Sequence, residues 1–69
     1  MKFYADEWEE FLSGCDFTDD ERAIIALLRR GWYGVDIAAE LNISHSTETR
    51  RVNSIQRKIK RYLLKHGTQ

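Results

Sequence analysis

An all-α fold of four helices and no strand is predicted by three features of this 69-residue sequence. Apolar residues recur at three- and four-residue intervals in several separate stretches, the spacing that lines one face of a helix. Proline is absent, and three of the four glycines punctuate the chain between those stretches. Finally, Thr18-Asp19-Asp20-Glu21 carries a helix-start signature. At 8.2 kDa there is room for one domain only, residues 1–69: an acidic N-terminal helix within 1–14, then a core over 17–66.

The first helix spans about Ala5 to Ser13. Trp8, Phe11 and Leu12 fall at i, i+3 and i+4, and acids crowd the first turns, at the positive end of the helix dipole. Gly14 ends it. The second helix starts at Thr18, whose hydroxyl can cap open N–H groups while Glu21 reaches back. Ile24, Leu27 and Leu28 form one face, Ala23, Ile25 and Ala26 widen it, and Arg29-Arg30-Gly31 supply a dipole-matched, glycine-terminated end. So broad an apolar surface suits a central helix touched on several sides.

The third helix is short, about Gly34 to Leu41, with Val35, Ile37, Ala38 and Leu41 as its apolar positions. Asn42-Ile43-Ser44 breaks the pattern. Asn42 tolerates the left-handed conformation of a tight turn, Ile43 plugs the core, and Ser44 can cap the next helix. That fourth helix, about His45 to His66, is the longest. Val52, Ile55, Ile59, Tyr62 and Leu63 form one continuous stripe, and at ~1.5 Å per residue the helix is on the order of 30 Å long.

Composition narrows the setting. Cys15 is the only cysteine, which excludes a disulfide framework and suits a reducing cytoplasm. No apolar run approaches the ~18 residues of a membrane span and no leader opens the chain, so a cytoplasmic domain without a membrane partner is expected. Nothing resembles a nucleophile–base pair or a phosphate-binding glycine loop, and His45, His66 and Cys15 are spaced too far apart for a zinc set. No catalytic residue, metal or cofactor is therefore expected.

The net charge of zero hides a strong asymmetry. Residues 1–40 carry ten acids against four bases, a balance of −6, whereas residues 41–69 carry seven bases against Glu48 alone, a balance of +6. Such a division provides a phosphate-binding face on a neutral molecule. A solvated basic helix face gives the same count, and charge alone does not separate the two readings.

A short helix, a three-residue turn and a longer basic helix describe a helix-turn-helix. Phe17-Thr18-Asp19-Asp20-Glu21-Arg22, Leu27-Leu28, Gly31, Asp36-Ile37-Ala38, Leu41-Asn42-Ile43-Ser44, Thr47 and Ile55 together resemble the DNA-binding domain of LuxR/GerE-type regulators and, equally, region 4 of bacterial sigma factors. The resemblance covers roughly residues 17–60. It implies a four-helix small domain with a tri-helical helix-turn-helix core, whose long C-terminal recognition helix lies in the DNA major groove from Ser44 to about Arg57. It further implies a role in transcription regulation, in a bacterium or a mobile element.

Two positions depart from those families. Valine usually stands at the place of Glu48, facing the core. A buried unpaired carboxylate would cost several kcal/mol, so Glu48 is expected at the core's edge or paired with Arg51, Arg22 or Arg29. LuxR-type domains also end the recognition helix at a glycine and add a further, often dimerising, helix. Here the chain runs straight on through Lys60-Arg61-Tyr62-Leu63-Leu64, closer to the sigma arrangement.

On the fourth helix, Ser46, Thr49, Arg50 and Asn53 share a face opposite Val52 and Ile55. Arg50 can fork onto guanine and Asn53 onto adenine, with Ser46 and Thr49 reading edges or methyls. His45, Arg51, Arg57, Lys58 and Arg61 are the candidate phosphate contacts; for His45 a merely solvated role fits equally well. Trp8, Phe11, Phe17 and Trp32 are assigned to the core, while Tyr33 is expected to be exposed beside the DNA backbone. The expected partner is double-stranded DNA. The alternative is a protein-interaction module of the same fold, binding RNA polymerase or a sigma factor through Asp6, Glu7, Glu9 and Glu10. So small a footprint also predicts a homodimer or a partner protein, with Leu63 and Leu64 available for the contact.

Overall fold

A computed structural model describes residues 2–66. Among them are four helices and no strand: α1 (Ala5–Gly14), α2 (Asp19–Arg29), α3 (Gly34–Leu41) and α4 (His45–Lys65). The fold class and the helix boundaries follow the sequence pattern closely, because each boundary is written in local chemistry.

At the start of α2 the Thr18 hydroxyl accepts from the Glu21 N–H at 3.1 Å, and the Glu21 carboxylate accepts from the Thr18 N–H at 2.9 Å. Its end is a left-handed closure at Gly31 (φ 89°), where the Trp32 N–H donates to the Leu27 carbonyl and the Gly31 N–H to that of Leu28. The end of α3 repeats this closure with Asn42 (φ 58°): Ile43 N–H donates to Ala38 at 2.9 Å and Asn42 N–H to Ala39 at 3.2 Å. Ser44 then caps α4 by accepting from the Thr47 N–H at 3.1 Å. The turn that joins α3 to α4 is thereby fixed at both ends.

Ile24 and Ile25 of α2, Ile37 of α3 and Ile55 of α4 are the largest fully buried side chains. Trp8 and Phe11 of α1, Phe17, Leu27 and Ile59 extend this core. At Gly14, the last residue of α1, an added Cβ would overlap the Tyr62 ring, so glycine is needed there for close approach of α1 to α4; its φ is not positive, and the helix ends into extended backbone at Cys15. Tyr62 packs edge-on against Phe11 and donates its hydroxyl proton to Glu10 at 2.9 Å.

Three expectations are corrected. Val35 is 66% exposed and Ala26 is also exposed, because each lies two residues, about 200°, from the inward-facing Ile37 or Ile24. Trp32 is half-buried at the core's margin rather than within it.

Candidate nucleic-acid interface

The side of α4 turned away from the core carries Ser46, Arg50, Asn53, Arg57 and Arg61 at steps of three and four residues, all exposed. Thr49 and Lys60, also exposed, flank this row. From Ser46 to Arg61 the row extends about 22 Å at 1.5 Å per residue. Ser44 links the turn to its first side chains: its hydroxyl donates to Thr47 Oγ1 at 2.9 Å, and Arg50 Nη2 approaches the same oxygen at 3.5 Å. The four residues assigned to base reading therefore lie together on one solvent-facing surface.

The only carboxylate on α4 is absent from that surface. Glu48 is 4% exposed, in the first turn of α4, where the helix dipole favours negative charge. Its Oε1 lies 3.8 Å from His45 Nε2 and 3.5 Å from the Thr49 hydroxyl. This corrects the expectation of an edge position or an arginine partner. Two of the arginines offered for that role pair elsewhere: Arg51 with Asp20 at 3.5 Å and Arg29 with Glu9 at 3.1 Å. Those surface carboxylates let a guanidinium pair without entering the core, where desolvation would cost it more than the pairing returns.

The assigned phosphate contacts divide into two groups. His45, Arg57 and Arg61 are exposed. Arg51 leans onto Asp20, and Lys58 is drawn inward, donating from Nζ to Glu21 Oε1 at 2.7 Å and to the Asp16 carbonyl at 2.9 Å. Tyr33, expected near the DNA backbone, stands at the N-cap position of α3 without a side-chain capping bond and is exposed.

Lys58 belongs to a buried network that local sequence reasoning does not find. Glu21, 4% exposed, also accepts from the Ser54 hydroxyl at 2.7 Å, so one carboxylate joins α2 to two successive turns of α4. Burial pushes the Glu21 carboxyl up, but the bonds from Lys58, Ser54 and Thr18 outweigh it and hold the group below its ordinary range. The available signal is Ser54 and Lys58, four residues apart on the flank of the apolar stripe. Its reading requires knowing which helix lies beside them.

Cys15 is buried next to this network, its Sγ 3.7 Å from the Lys58 carbonyl; burial raises its pKa, and the Lys58 charge acts in the opposite direction. Among the described residues no group of three or more His, Cys, Asp or Glu side chains could hold a metal ion. None of the described helices is long and apolar enough to cross a membrane.

Each acid of α1 has a partner within the chain, two of them on other helices. Glu9 meets Arg29, Glu10 accepts from Tyr62, Glu7 accepts from the Tyr4 N–H at 2.8 Å, and Asp6 accepts from the Glu7 N–H at 3.1 Å. No protein-family model, curated protein or solved structure matches the chain.

Proposed function

We propose that this protein binds double-stranded DNA in transcription regulation, as a helix-turn-helix domain in which α3 supports α4 and α4 enters the major groove. The observation that carries this reading is the carboxylate-free outer face of α4, with Arg50, Arg57, Lys60 and Arg61 exposed and Glu48 buried. A merely soluble helix gains nothing from removing its one acid into the core. A face that approaches phosphate gains directly, since every exposed carboxylate there would repel it.

In this reading Arg50 and Asn53 meet base edges, with Ser46 and Thr49 beside them, and His45, Arg57 and Arg61 meet phosphates. Arg51 and Lys58 leave the phosphate set, because Asp20, Glu21 and the Asp16 carbonyl hold them. With few phosphates engaged, the salt dependence should be shallow, about −0.9 in log–log slope per phosphate.

An amide NMR titration with mixed short duplexes at low salt tests the reading. Shifts concentrated between residues 45 and 61, and an affinity lowered about tenfold by Arg50→Ala, are expected. A well-folded spectrum that stays unmoved there would remove DNA from the account and favour the alternative, a module of this fold that binds RNA polymerase or a sigma factor.

A further inference from the structure

We infer that the hollow between the α2–α3 turn and the outer face of α3 receives an arginine side chain from a basic segment of a partner protein. The hollow, about 460 Å³, is lined by Gly31, Trp32, Asp36, Ala39 and Glu40. Trp32 packs against the core yet is only half-buried, so part of its indole stays open to the hollow. Its backbone is fixed by the left-handed closure at Gly31, where the Trp32 N–H donates to the Leu27 carbonyl at 3.1 Å. Asp36 and Glu40 are exposed, one turn apart, on the side of α3 opposite the buried Ile37 and Ala38.

Charge selects the occupant. Two carboxylates and no base line this hollow. Of the bases around Gly31, Arg29 is held by Glu9 and lines the neighbouring hollow with Lys2. Arg30 is exposed, and none of the ion pairs among the described residues reaches Asp36 or Glu40. Within the chain alone the arrangement is unfavourable. Like charges four residues apart repel on a helix, and Glu40 stands in the last turn of α3, where the dipole disfavours an acid and no base offsets it. A face kept only for solubility does better with a base at that position. A bound cation reverses both costs, since the carboxylates attract it and the indole face accepts it through the ring quadrupole. A guanidinium suits this geometry better than an ammonium, because it is planar, stacks on an indole and forks to a carboxylate at the same time. The same carboxylates repel phosphate, so the partner is a protein and not a nucleic acid. No residue of the row from Ser46 to Arg61 lines the hollow, and the inference does not depend on DNA binding.

NMR of the full chain, titrated at low salt with the capped peptide acetyl-Gly-Arg-Gly-Arg-Gly-amide, tests it. The indole N–H signal of Trp32 and the amides of residues 36–40 are expected to shift together and saturate, with a Kd of about 1 mM or below. The same peptide with citrulline for arginine keeps the shape, loses the charge and should bind at least about tenfold more weakly. Trp32→Leu, read at the α3 amides, and the double variant Asp36→Asn with Glu40→Gln should each weaken binding about three- to tenfold with an unchanged helical circular dichroism spectrum. The double variant changes only exposed side chains, so it tests the hollow even if Trp32→Leu fails to fold. A Trp32 indole signal that stays still up to about 5 mM peptide overturns the inference, as does equal binding of the citrulline peptide or of the double variant. Shifts confined to residues 6–10 overturn the location. Short duplex DNA that moves the Trp32 signal in preference to the peptide overturns the choice of partner.

Discussion

Glu21 and Glu48 are each 4% exposed, yet the seam between α2 and α4 treats its carboxylate differently from the turn between α3 and α4. At the seam, Lys58, Ser54 and the Thr18 N–H all approach Glu21 within 2.9 Å, the short range of charge-assisted hydrogen bonds. At the turn, Glu48 has His45 at 3.8 Å and Thr49 at 3.5 Å, both beyond that range. Burial is equal and satisfaction is not. The buried polar interactions that fix α4 in place thus sit at its middle, while its N-terminal end has the Ser44 cap, the surface pair of Arg51 with Asp20 and the apolar core beneath it. The position of Glu48 serves the outer face of α4 more plainly than it serves stability.

The strongest way to break this contrast is to remove the cation at the seam. Lys58→Ala leaves a buried carboxylate with two neutral donors, and it should cost about 3 kcal/mol in urea unfolding. For a domain of this size that is most of the stability on hand. Replacing both partners, as Glu21→Met with Lys58→Met, should recover the larger part, since an apolar pair needs no desolvation of charge. A Lys58→Ala protein whose unfolding midpoint is unchanged would mean that the seam holds by its apolar contacts alone.

The same contrast marks how far the sequence can be read. Thr18 with Glu21, Ser44 with Thr47, and the two left-handed closures at Gly31 and Asn42 act over three to five residues, and all are legible in order. The outer row from Ser46 to Arg61 is legible too, because helical periodicity alone places it opposite Val52 and Ile55. Extending the stripe back from Val52 by four residues leads to Glu48, but its partner cannot be read in the same way. Choosing among arginines depends on which surface acids compete for them. Lys58 reads as an outward-facing residue for the same reason: Glu21 lies 37 residues away, and only the approach of α2 to α4 brings the two together.

At the turn, the expected change has the opposite sign. Glu48→Leu replaces a poorly partnered carboxylate by an apolar group of similar length, in a site that the neighbouring core already encloses. We expect a gain of about 1 kcal/mol in the same urea experiment, with the amide spectrum of α3 and α4 preserved. A loss of similar size would show that the long contacts with His45 and Thr49 hold the turn more firmly than their distances indicate.

Acid provides the finest test, because it addresses Glu21 without rebuilding the seam. In the folded protein its carboxyl is held below the ordinary glutamate value of 4.5. The unfolded chain therefore takes up the proton first as pH falls. The stability that Glu21 contributes is fully present above about pH 4.5 and drains away as pH drops through the lower, folded value. Other carboxylates titrate over the same range, so wild-type unfolding alone cannot isolate this one. The difference between wild type and Glu21→Gln can, since the amide does not titrate and the other acids are common to both. That difference should be constant near neutrality and narrow steadily below about pH 4.5. If it stays constant down to about pH 3, the pairing with Lys58 does not stabilise the charged form over the neutral one, and the distinction between the seam and the turn loses its electrostatic basis.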